Sequence, residues 1–294
     1  MAVLPFDDRD GTIWYDGQML PWREAKTHVL THGLHYGSCV FKGQRAYEGE
    51  VFKLEEHTDR LFKSAEIMGM KIPYTPAEIN RACREVLASA GYANAYMRPV
   101  AFRGSEMMAV AAQQTKTHVA IATWEWPSMF DPAIKTKGIK LDIARWRRPA
   151  PDTAPCHAKA AGLYMICTLS KHEAEAKGCQ DAMMYDYRGF IAEATGANIF
   201  FVQDGKLHTP TPDCFLDGIT RRTVMDLARA RQIQIIERHI KAEELKDFSE
   251  CFITGTAAEV TPVGLIGAQG FTPGKITATL MDDYSAAVRR KKAA

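Results

Sequence analysis

The sequence predicts an α+β fold divided into two domains. Its 294 residues are 46% hydrophobic, which is enough apolar chain to build more than one core. Patterns typical of strands and helices alternate along it, and residues 127–138 interrupt them with two prolines and little apolar periodicity. We therefore expect a smaller N-terminal α+β domain over residues 1–126, an interdomain linker over 127–138 and a larger C-terminal domain over 139–294.

The first domain is predicted to open with two strand pairs. Asp16-Gly17 separates two apolar-polar segments, and both residue types tolerate the positive φ angles that a hairpin turn requires. Residues 39–46 and 50–54 predict a second pair of strands that turns at Gly49.

Two helices and two further strands complete this domain. Apolar side chains at helical spacing predict the first helix, at Leu54, Leu61, Ala65 and Met68. The run Thr75-Pro76-Ala77-Glu78 is a capping box with proline at the first helical position, so it predicts the start of the second helix. The β-branched and aromatic residues of segments 95–102 and 118–124 predict strands.

The second domain is predicted to mix strands and helices. Strand composition marks five segments, at residues 139–146, 181–187, 198–203, 234–239 and 251–254. Helical spacing marks a long helix, a second helix and a short one, at residues 160–177, 218–231 and 242–245. Asp204-Gly205 marks another hairpin turn.

Charge, cysteine content and hydropathy exclude several classes of protein. Lys and Arg total 37 against 35 Asp and Glu, a net charge of +2, so there is no positive field to favour nucleic acid. The seven cysteines are odd in number and scattered, which is typical of a reducing compartment. The acidic N-terminus and the lack of a long apolar run argue against a signal peptide and a membrane span. We expect a cytoplasmic protein whose partner is a small molecule or another protein.

No metal site is expected. His32 and His35 are three residues apart, but Gly33 disrupts the helix that would aim both rings at one ion, and no carboxylate follows in the pattern of zinc enzymes. The chain also lacks the G-x-S-x-G, Walker and G-x-G-x-x-G motifs, which are the commonest hydrolase, phosphate-loop and dinucleotide signatures.

Lys159 and Glu193 have the surroundings that suggest chemistry. Lys159 lies among small residues, and it is either a solvated surface lysine or a buried lysine with a depressed pKa that could bond an aldehyde. Glu193 is the one acid in the uncharged run 191–200, as expected for a buried charge facing a cation, although a solvated turn residue fits equally well. Pyridoxal phosphate, an aldehyde on a flat ring with a basic nitrogen, would use both residues.

A long segment of the second domain carries a family signature. It runs from Glu193 through Asn198-Ile199-Phe200 and Leu207-His208-Thr209 to Leu216-Asp217-Gly218-Ile219-Thr220-Arg221. The likeness extends over nearly the whole chain, from His32 to Pro262. On these residues the sequence resembles the class IV, or fold-type IV, pyridoxal-phosphate-dependent aminotransferases, and especially the branched-chain amino acid aminotransferases. The resemblance implies a two-domain fold like that of D-amino acid aminotransferase, with the cofactor between the domains and its lysine on the larger C-terminal domain.

The resemblance also implies a role for each cofactor-binding residue. Lys159 would bind the cofactor aldehyde and serve as the catalytic base and acid, while the Tyr164 hydroxyl would bond the ring oxygen. Glu193 would keep the ring nitrogen protonated, and Arg60 would bind the phosphate. The remaining implied cofactor contacts are Leu216, Gly218, Ile219, Thr220, Gly255 and Thr256. On the residues alone, a helix-surface salt bridge is slightly favoured for Arg60, and Gly218-Ile219-Thr220 fits a plain helix cap.

For the substrate, the resemblance implies an apolar pocket with a carboxylate site. The implied contacts are Tyr36, Phe41, Gly43, Tyr96, Arg98, Trp126, Thr256, Ala257 and Ala258. Strand alternation independently places Tyr96 and Arg98 on one face, which is either a joint carboxylate site or an exposed strand face. The implied reaction is transamination between L-leucine, L-isoleucine or L-valine and 2-oxoglutarate, in a homodimer or higher homo-oligomer because a neighbouring subunit completes the pocket in this family.

Five positions depart from the branched-chain pattern, and one of them is Ala197, which stands where a second acid is common. Lys42 stands where these enzymes usually carry an acid, Met107 and Ala109 lie where a glycine-rich loop is expected, and Met129 replaces an aromatic residue. These positions cluster around the substrate pocket, so an R-selective amine transaminase, a D-amino acid transaminase and an aminodeoxychorismate-lyase-like enzyme stay open as alternatives. A non-catalytic protein that binds pyridoxal phosphate is a further alternative, which the combination of a lysine, a lone acid and a tyrosine disfavours.

Overall fold

The structure is a computed structural model that describes residues 5–126 and 136–289. Residues 127–135, which make up most of the expected linker and include Met129, lie outside the described part of the chain. No described helix combines the length and the apolar character that crossing a membrane requires.

The described residues form two units, each with its own β-sheet. The first unit comprises residues 5–126 and the short segment Ala158–Gly162. The second comprises residues 136–157 and 163–289. Both units combine a sheet with helices, which is the expected α+β class.

The position of Lys159 differs from the expectation that the C-terminal domain carries it. The structure packs the segment Ala158–Gly162 with the first unit. Ala160 forms a β-bridge with Val40, and the backbone N–H of Phe41 donates to the Lys159 carbonyl at 3.1 Å. These backbone contacts tie the segment to an N-terminal strand, although its neighbours in sequence belong to the second unit.

The first unit is built on an antiparallel sheet. Its elements are β1 (Thr12–Tyr15), β2 (Gln18–Pro21), a 3₁₀ turn (Trp22–Glu24), α1 (His32–Tyr36), β3 (Cys39–Phe41), β4 (Gln44–Tyr47), β5 (Glu50–Val51), α2 (Leu54–Ile67), α3 (Pro76–Ala90), β6 (Ala95–Arg103) and β7 (Thr117–Glu125). Within the described residues, seven strands pair in the order β2-β1-β7-β6-β4-β5, with β3 also on β6. Helix α3 packs its buried face, which includes Ile79 and Val86, on this sheet, and α2 packs beside α3.

Two local predictions for this unit are confirmed. Asp16 and Gly17 turn between β1 and β2 with φ angles of 47° and 91°. The capping box also forms, since the Glu78 N–H donates to Thr75 Oγ1 at 3.3 Å and the Thr75 N–H donates to Glu78 Oε2 at 2.7 Å. Local backbone chemistry therefore sets both the hairpin and the start of α3.

Asp16 also holds the loop between β6 and β7. Its Oδ2 lies 2.5 Å from His118 Nδ1, and the other ring nitrogen of His118 lies 3.1 Å from Glu106 Oε1 in that loop. Burial acts to lower the pKa of His118, but the hydrogen bonds and charges of the two carboxylates outweigh it and the pKa is raised. When it is protonated, the ring donates to both carboxylates and ties the loop to the β1–β2 hairpin.

The expected strand over residues 39–46 is broken into β3 and β4 at Lys42 and Gly43. Both pieces pair with β6 in one continuous register. The Lys42 N–H donates to the Pro99 carbonyl at 2.8 Å, but proline has no N–H to return the bond. The ladder therefore opens here, beside residues expected to bind the substrate.

The second unit is built on strands that close into a ring. Its elements are β8 (Ile139–Ile143), α4 (Met165–Ala176), β9 (Asp181–Tyr185), β10 (Ile191–Ala194), β11 (Asn198–Gln203), β12 (Lys206–Pro210), α5 (Ile219–Ala230), β13 (Ile235–Arg238), a 3₁₀ turn (Ala242–Asp247), β14 (Glu250–Gly255), β15 (Glu259–Ile266), β16 (Gln269–Gly270) and α6 (Lys275–Val288). Among the described residues, nine strands pair in the order β10-β9-β8-β15-β14-β11-β12-β13, with β16 on β15. Strand β10 also pairs with β11 through Glu193 and Asn198, which closes the first six of these strands into a ring.

Side chains from the ring strands form the main core of this unit, including Ile199, Phe201, Ile253 and Val263. The expected long helix over residues 160–177 is divided, because a 3₁₀ turn (Ala161–Tyr164) precedes α4. Helices α5 and α6 pack against each other and against β14. The ring brings the start of β11 beside the end of β10, where the candidate site residues of this unit lie.

Candidate active site

Lys159 is fixed through its backbone. Its N–H donates to Ser64 Oγ at 3.1 Å, and its carbonyl accepts the Phe41 N–H at 3.1 Å. The side chain is half-buried, and its Nζ lies 5.1 Å from the centre of the Phe41 ring. Of the two interpretations from sequence, a lysine in a partly apolar environment therefore agrees better with the structure than a fully solvated one.

Ser64 connects this lysine to the helix that carries Arg60. The fully buried Ser64 hydroxyl donates to the Arg60 carbonyl at 2.7 Å while it accepts the Lys159 N–H. Sequence analysis did not identify Ser64, because a serine inside an amphipathic helix carries no signal that separates it from its neighbours. The hydroxyl sets the distance between the lysine backbone and this turn of α2.

Positive charge is concentrated around the buried His57 ring. Burial lowers the pKa of His57 well below its ordinary value, and the cations Arg60, Lys42 and Lys159 lower it further. The ring is therefore neutral at physiological pH. Lys42, one of the departures from the family pattern, is completely buried beside it. This part of the first unit offers the charge that a phosphate or carboxylate would require.

The expected substrate residues of the first unit surround Tyr96. The Arg98 guanidinium lies 4.7 Å from the Phe41 ring centre and donates to the Tyr96 hydroxyl at 3.2 Å. The ring of Trp126 lies 5.0 Å from that of Tyr96. A Cβ at Gly43 would stand 1.9 Å from the Tyr96 hydroxyl, so this position has room only for glycine. Strand alternation does place Tyr96 and Arg98 on one face.

Tyr36, another expected substrate residue, also belongs to the first unit. It is 47% exposed on the short helix α1, and its ring lies 4.6 Å from that of His32. His32 Nε2 is 2.9 Å from the Ala109 carbonyl, and His35 Nε2 is 2.9 Å from the Val29 carbonyl. These imidazoles hold backbone segments around α1, and Tyr36 belongs to an exposed surface.

Glu193 is a buried anion in the second unit. Its Oε1 lies 2.6 Å from Arg148 Nη2, and the two side chains are only 6% and 9% exposed. Burial acts to lower the pKa of Arg148, but the charge of Glu193 outweighs it and the pKa is raised. The buried position excludes the solvated-turn interpretation of Glu193. Arg148 precedes Lys159 by several residues in a proline-containing stretch, and nothing local marks it as the partner.

Asn198 occupies the other oxygen of Glu193. Its Nδ2 donates to Glu193 Oε2 at 3.1 Å and to the Leu216 carbonyl at 2.9 Å. Its Oδ1 accepts the Gly218 N–H at 3.1 Å. Sequence analysis placed Asn198 in the signature without assigning it a contact, and the structure joins it to three neighbours.

Helix α5 begins directly after this contact and presents an uncapped N-terminus. Gly218 is the N-cap, so no side chain caps the first backbone N–H groups. Ile219 and Thr220 occupy the first turn and are buried. Their N–H groups and the positive end of the helix dipole suit a phosphate.

The remaining expected residues of this unit lie close to these elements in the fold. Tyr164 ends the 3₁₀ turn before α4, is half-buried, and interacts electrostatically with Arg148. Gly255 ends β14, and the half-buried residues 256–258 form the turn to β15. That turn is held by a hydrogen bond from the Thr261 hydroxyl to the Ala258 carbonyl at 2.5 Å.

One cluster of the described residues has side chains of the kind that bind metals, but two of them form ion pairs with an arginine. Ligand atoms of Asp186, Asp213 and Cys214 lie within 4.8 Å of one another. Arg188 donates to Asp186 at 2.6 Å and to Asp213 at 2.8 Å, so both carboxylates are already paired with its guanidinium.

Each unit taken by itself offers groups that pyridoxal phosphate requires. The first unit supplies an amine and cations, and the second supplies a buried carboxylate and a helix N-terminus open to a phosphate. These are the groups that an aldehyde, a phosphate and a basic ring nitrogen require.

Comparison with known proteins gives the family. The sequence matches the model described as amino-transferase class IV over residues 40–266. A probable branched-chain-amino-acid aminotransferase from Rickettsia conorii is 43% identical over 293 residues, covering 98% of this chain and 100% of that protein. Two solved structures of the T.th. branched-chain amino acid aminotransferase are 37% identical, covering 95% of this chain and 94% of theirs. The TM-score is 0.92 for the structure with pyridoxamine 5'-phosphate and 0.91 for the complex with N-(5'-phosphopyridoxyl)-L-glutamate. With its signature residues assembled in this geometry and these relatives matched over nearly their full length, the chain belongs to the class IV aminotransferases and is an aminotransferase.

Proposed function

We propose that this chain uses pyridoxal phosphate to transfer the amino group of L-leucine, L-isoleucine or L-valine to 2-oxoglutarate. The observation that carries the proposal is the buried Glu193 carboxylate, paired with Arg148 at 2.6 Å. A buried anion of this kind serves a ring nitrogen that has to stay protonated during catalysis. The names of the Rickettsia and T.th. relatives support the branched-chain substrates, and the phosphopyridoxyl-glutamate complex supports glutamate and 2-oxoglutarate as the second pair.

In this proposal five residues hold the cofactor. Lys159 would hold its aldehyde, and Glu193 would accept the hydrogen bond of its protonated ring nitrogen. Arg60 and the backbone N–H groups of Ile219 and Thr220 bind its phosphate. When bound, the cofactor supplies an electron-accepting ring that stabilises the charge left on the substrate when its α-proton is removed.

Lys159 also moves the proton. With its amine free, Lys159 would take the α-proton from the substrate and later return a proton. The Phe41 ring, 5.1 Å from Nζ, shields the amine from water on one side. The backbone bonds to Ser64 and Phe41 hold the lysine in position while its side chain moves.

The residues around Tyr96 select the substrate. Arg98 and Tyr96, joined at 3.2 Å, receive a carboxylate, while Phe41 and Trp126 offer an apolar surface to a branched side chain. The same guanidinium can meet the distal carboxylate of glutamate. One pocket then accepts both an aliphatic and an acidic side chain in alternate half-reactions, which predicts ping-pong kinetics.

A homodimer is part of the proposal. The surface around α1 exposes apolar side chains, at Val29, Leu30, Leu34, Tyr36, Met108 and Val110. Val110 is 83% exposed and Val29 is 71% exposed. A concentration of exposed apolar side chains favours association with another protein surface. We propose that a second copy of the chain covers this surface. The molar mass of wild type and of Val110→Asp in solution, measured by light scattering, tests this.

Half-reactions test the substrate. The purified protein, loaded with pyridoxal phosphate, is mixed separately with L-leucine, L-glutamate, D-alanine and an R-configured aryl amine while its visible absorbance is followed. We expect rapid loss of colour with L-leucine and L-glutamate. Loss of colour only with D-alanine or the aryl amine would replace the substrate assignment, and a colourless, unreactive protein would overturn the cofactor assignment.

Lys159→Ala tests the catalytic residue. Because the nucleophile and proton carrier is removed, the turnover rate should fall at least about a thousandfold. Lys63→Ala, at an exposed position on α2, is the matched control and should retain the wild-type rate. A Lys159→Ala variant with more than about a hundredth of the wild-type rate would exclude this role.

A further inference from the structure

We propose that Asn198 is a positioning residue that couples the ring-nitrogen end of the cofactor site to the phosphate end. The inference rests on the proposed function and goes beyond it. Asn198 is buried, and its side chain makes three hydrogen bonds, to Glu193 Oε2, the Leu216 carbonyl and the Gly218 N–H. The first partner is the ring-nitrogen carboxylate, and the other two belong to the segment that leads into α5.

The amide of Asn198 is matched to its three partners. Glu193 Oε2 and the Leu216 carbonyl can only accept hydrogen bonds, and Asn198 Nδ2 donates to them at 3.1 and 2.9 Å. The Gly218 N–H can only donate, and Oδ1 accepts it at 3.1 Å. Aspartate would lose both donors, and leucine would lose all three bonds. Only a short side-chain amide satisfies this arrangement.

Gly218 is shaped for the same contact. A Cβ there would stand 2.2 Å from Asn198 Oδ1, well inside van der Waals contact. Its backbone has φ −66° and ψ 141°, which any residue can adopt. The glycine is therefore required by the close approach of Asn198, and not by an unusual backbone conformation.

The strand pairing makes Asn198 a rigid support. It is the first residue of β11 and pairs with Glu193 of β10 on one side and with Thr254 of β14 on the other. Both neighbours belong to the closed ring of strands. A shift of the Leu216–Gly218 segment must therefore break bonds to a side chain that also orients Glu193.

The consequence is a measurable coupling between two ends of one ligand. If Asn198 positions the phosphate segment, its loss should reduce the benefit that the phosphate gives to binding. If it also orients Glu193, its loss should reduce the effect of changing Glu193. A residue that only supports the fold would weaken the binding of every ligand by the same factor.

The experiment uses full-length protein freed of cofactor and two ligands, pyridoxal phosphate and pyridoxal, which lacks the phosphate. The dissociation constant of pyridoxal divided by that of pyridoxal phosphate measures how much the phosphate contributes to binding. We expect this ratio to fall at least about tenfold in Asn198→Ala, because two hydrogen bonds to the phosphate segment are lost. The weakening of pyridoxal phosphate binding by Glu193→Gln should be at least about fivefold smaller in the Asn198→Ala background than in wild type.

Two further variants keep the result decisive. Asn198→Asp retains the volume and can still accept the Gly218 N–H, and the effect of Glu193→Gln should shrink there as well. Thr209→Val, which removes a buried hydrogen bond to the Ile199 carbonyl on the neighbouring strand, is the control and should leave both measurements unchanged.

The possible failures are distinguishable. An unchanged dissociation-constant ratio in Asn198→Ala, or an undiminished Glu193→Gln effect in both asparagine variants, would overturn the coupling while leaving the proposed function intact. Wild-type protein that binds neither ligand would overturn the proposed function, and that result does not depend on any variant.

Discussion

Replacing Glu193 with glutamine is expected to destabilise the protein even when no cofactor is present. Arg148 is 9% exposed and its Nη2 lies 2.6 Å from the Glu193 carboxylate. Without the negative charge, the guanidinium stays buried and uncompensated, and breaking such a pair from one side typically costs about 3 kcal/mol or more. The new amide would also point a donor at Asn198 Nδ2, which itself donates to Glu193 Oε2 at 3.1 Å. We expect a loss of about 3 kcal/mol in the free energy of unfolding.

The chain offers a matched control on its surface. Arg84 and Glu55 form an ion pair at 2.9 Å, but their side chains are 60% and 51% exposed. Because water screens such a pair, Glu55→Gln should cost less than about 1 kcal/mol. Urea unfolding of cofactor-free wild type and both variants, followed by tryptophan fluorescence, measures the two costs side by side.

A double variant separates charge from packing. Arg148→Met combined with Glu193→Leu removes both charges, so it should recover much of the stability lost in Glu193→Gln. The reasoning would be refuted if Glu193→Gln cost no more than Glu55→Gln, since a buried unpaired guanidinium would then carry no penalty.

Three further results are expected. Gly218→Ala should weaken pyridoxal phosphate binding about tenfold or more in a direct titration, because its Cβ would stand 2.2 Å from Asn198 Oδ1; unchanged affinity would show that the segment adjusts freely. Ser64→Ala should lower kcat about tenfold with little change in KM, because the lysine backbone loses its 3.1 Å bond to the hydroxyl while the substrate contacts are untouched; a rise in KM alone would contradict a positioning role. His118 has a raised pKa, so its bridging bonds contribute stability that is complete below about pH 6.5 and is lost as the pH rises through the folded-state pKa. Wild type should therefore lose about 1 kcal/mol of stability over that range relative to His118→Gln, and parallel pH profiles in thermal melts would disprove the linkage.

Local chemistry made much of the first unit predictable from sequence. The Asp16-Gly17 turn and the capping box at Thr75 depend on a few adjacent residues, and both appear in the structure. The division of the strand at Lys42 was not predictable in the same way, because its cause is Pro99 on the opposing strand. A pattern read along one strand does not reveal which residue it will face.

In the candidate site, too, residues marked by their sequence neighbours could be predicted, and residues that depend on distant contacts could not. Lys159 and Glu193 stood out because each has unusual neighbours in sequence, and the signature segment marked the start of α5. Arg148 and Ser64 could not be identified, since their roles depend on contacts with residues 45 and 95 positions away. The packing of Ala158–Gly162 with the first unit was likewise unpredictable, because a β-bridge to Val40 decides it.

The closed ring of the second unit also constrains how the chain can be made. Strand β8 pairs with β15 through Ile139 and Val263, so the ring cannot close until more than 120 residues after β8 have been synthesised. Until then β8 and β14 present unpaired edges, which are the surfaces on which nascent chains aggregate. A chain that stops before β15 should therefore collect in inclusion bodies, and the solubility of nested C-terminal truncations would locate the boundary at Glu259–Ile266.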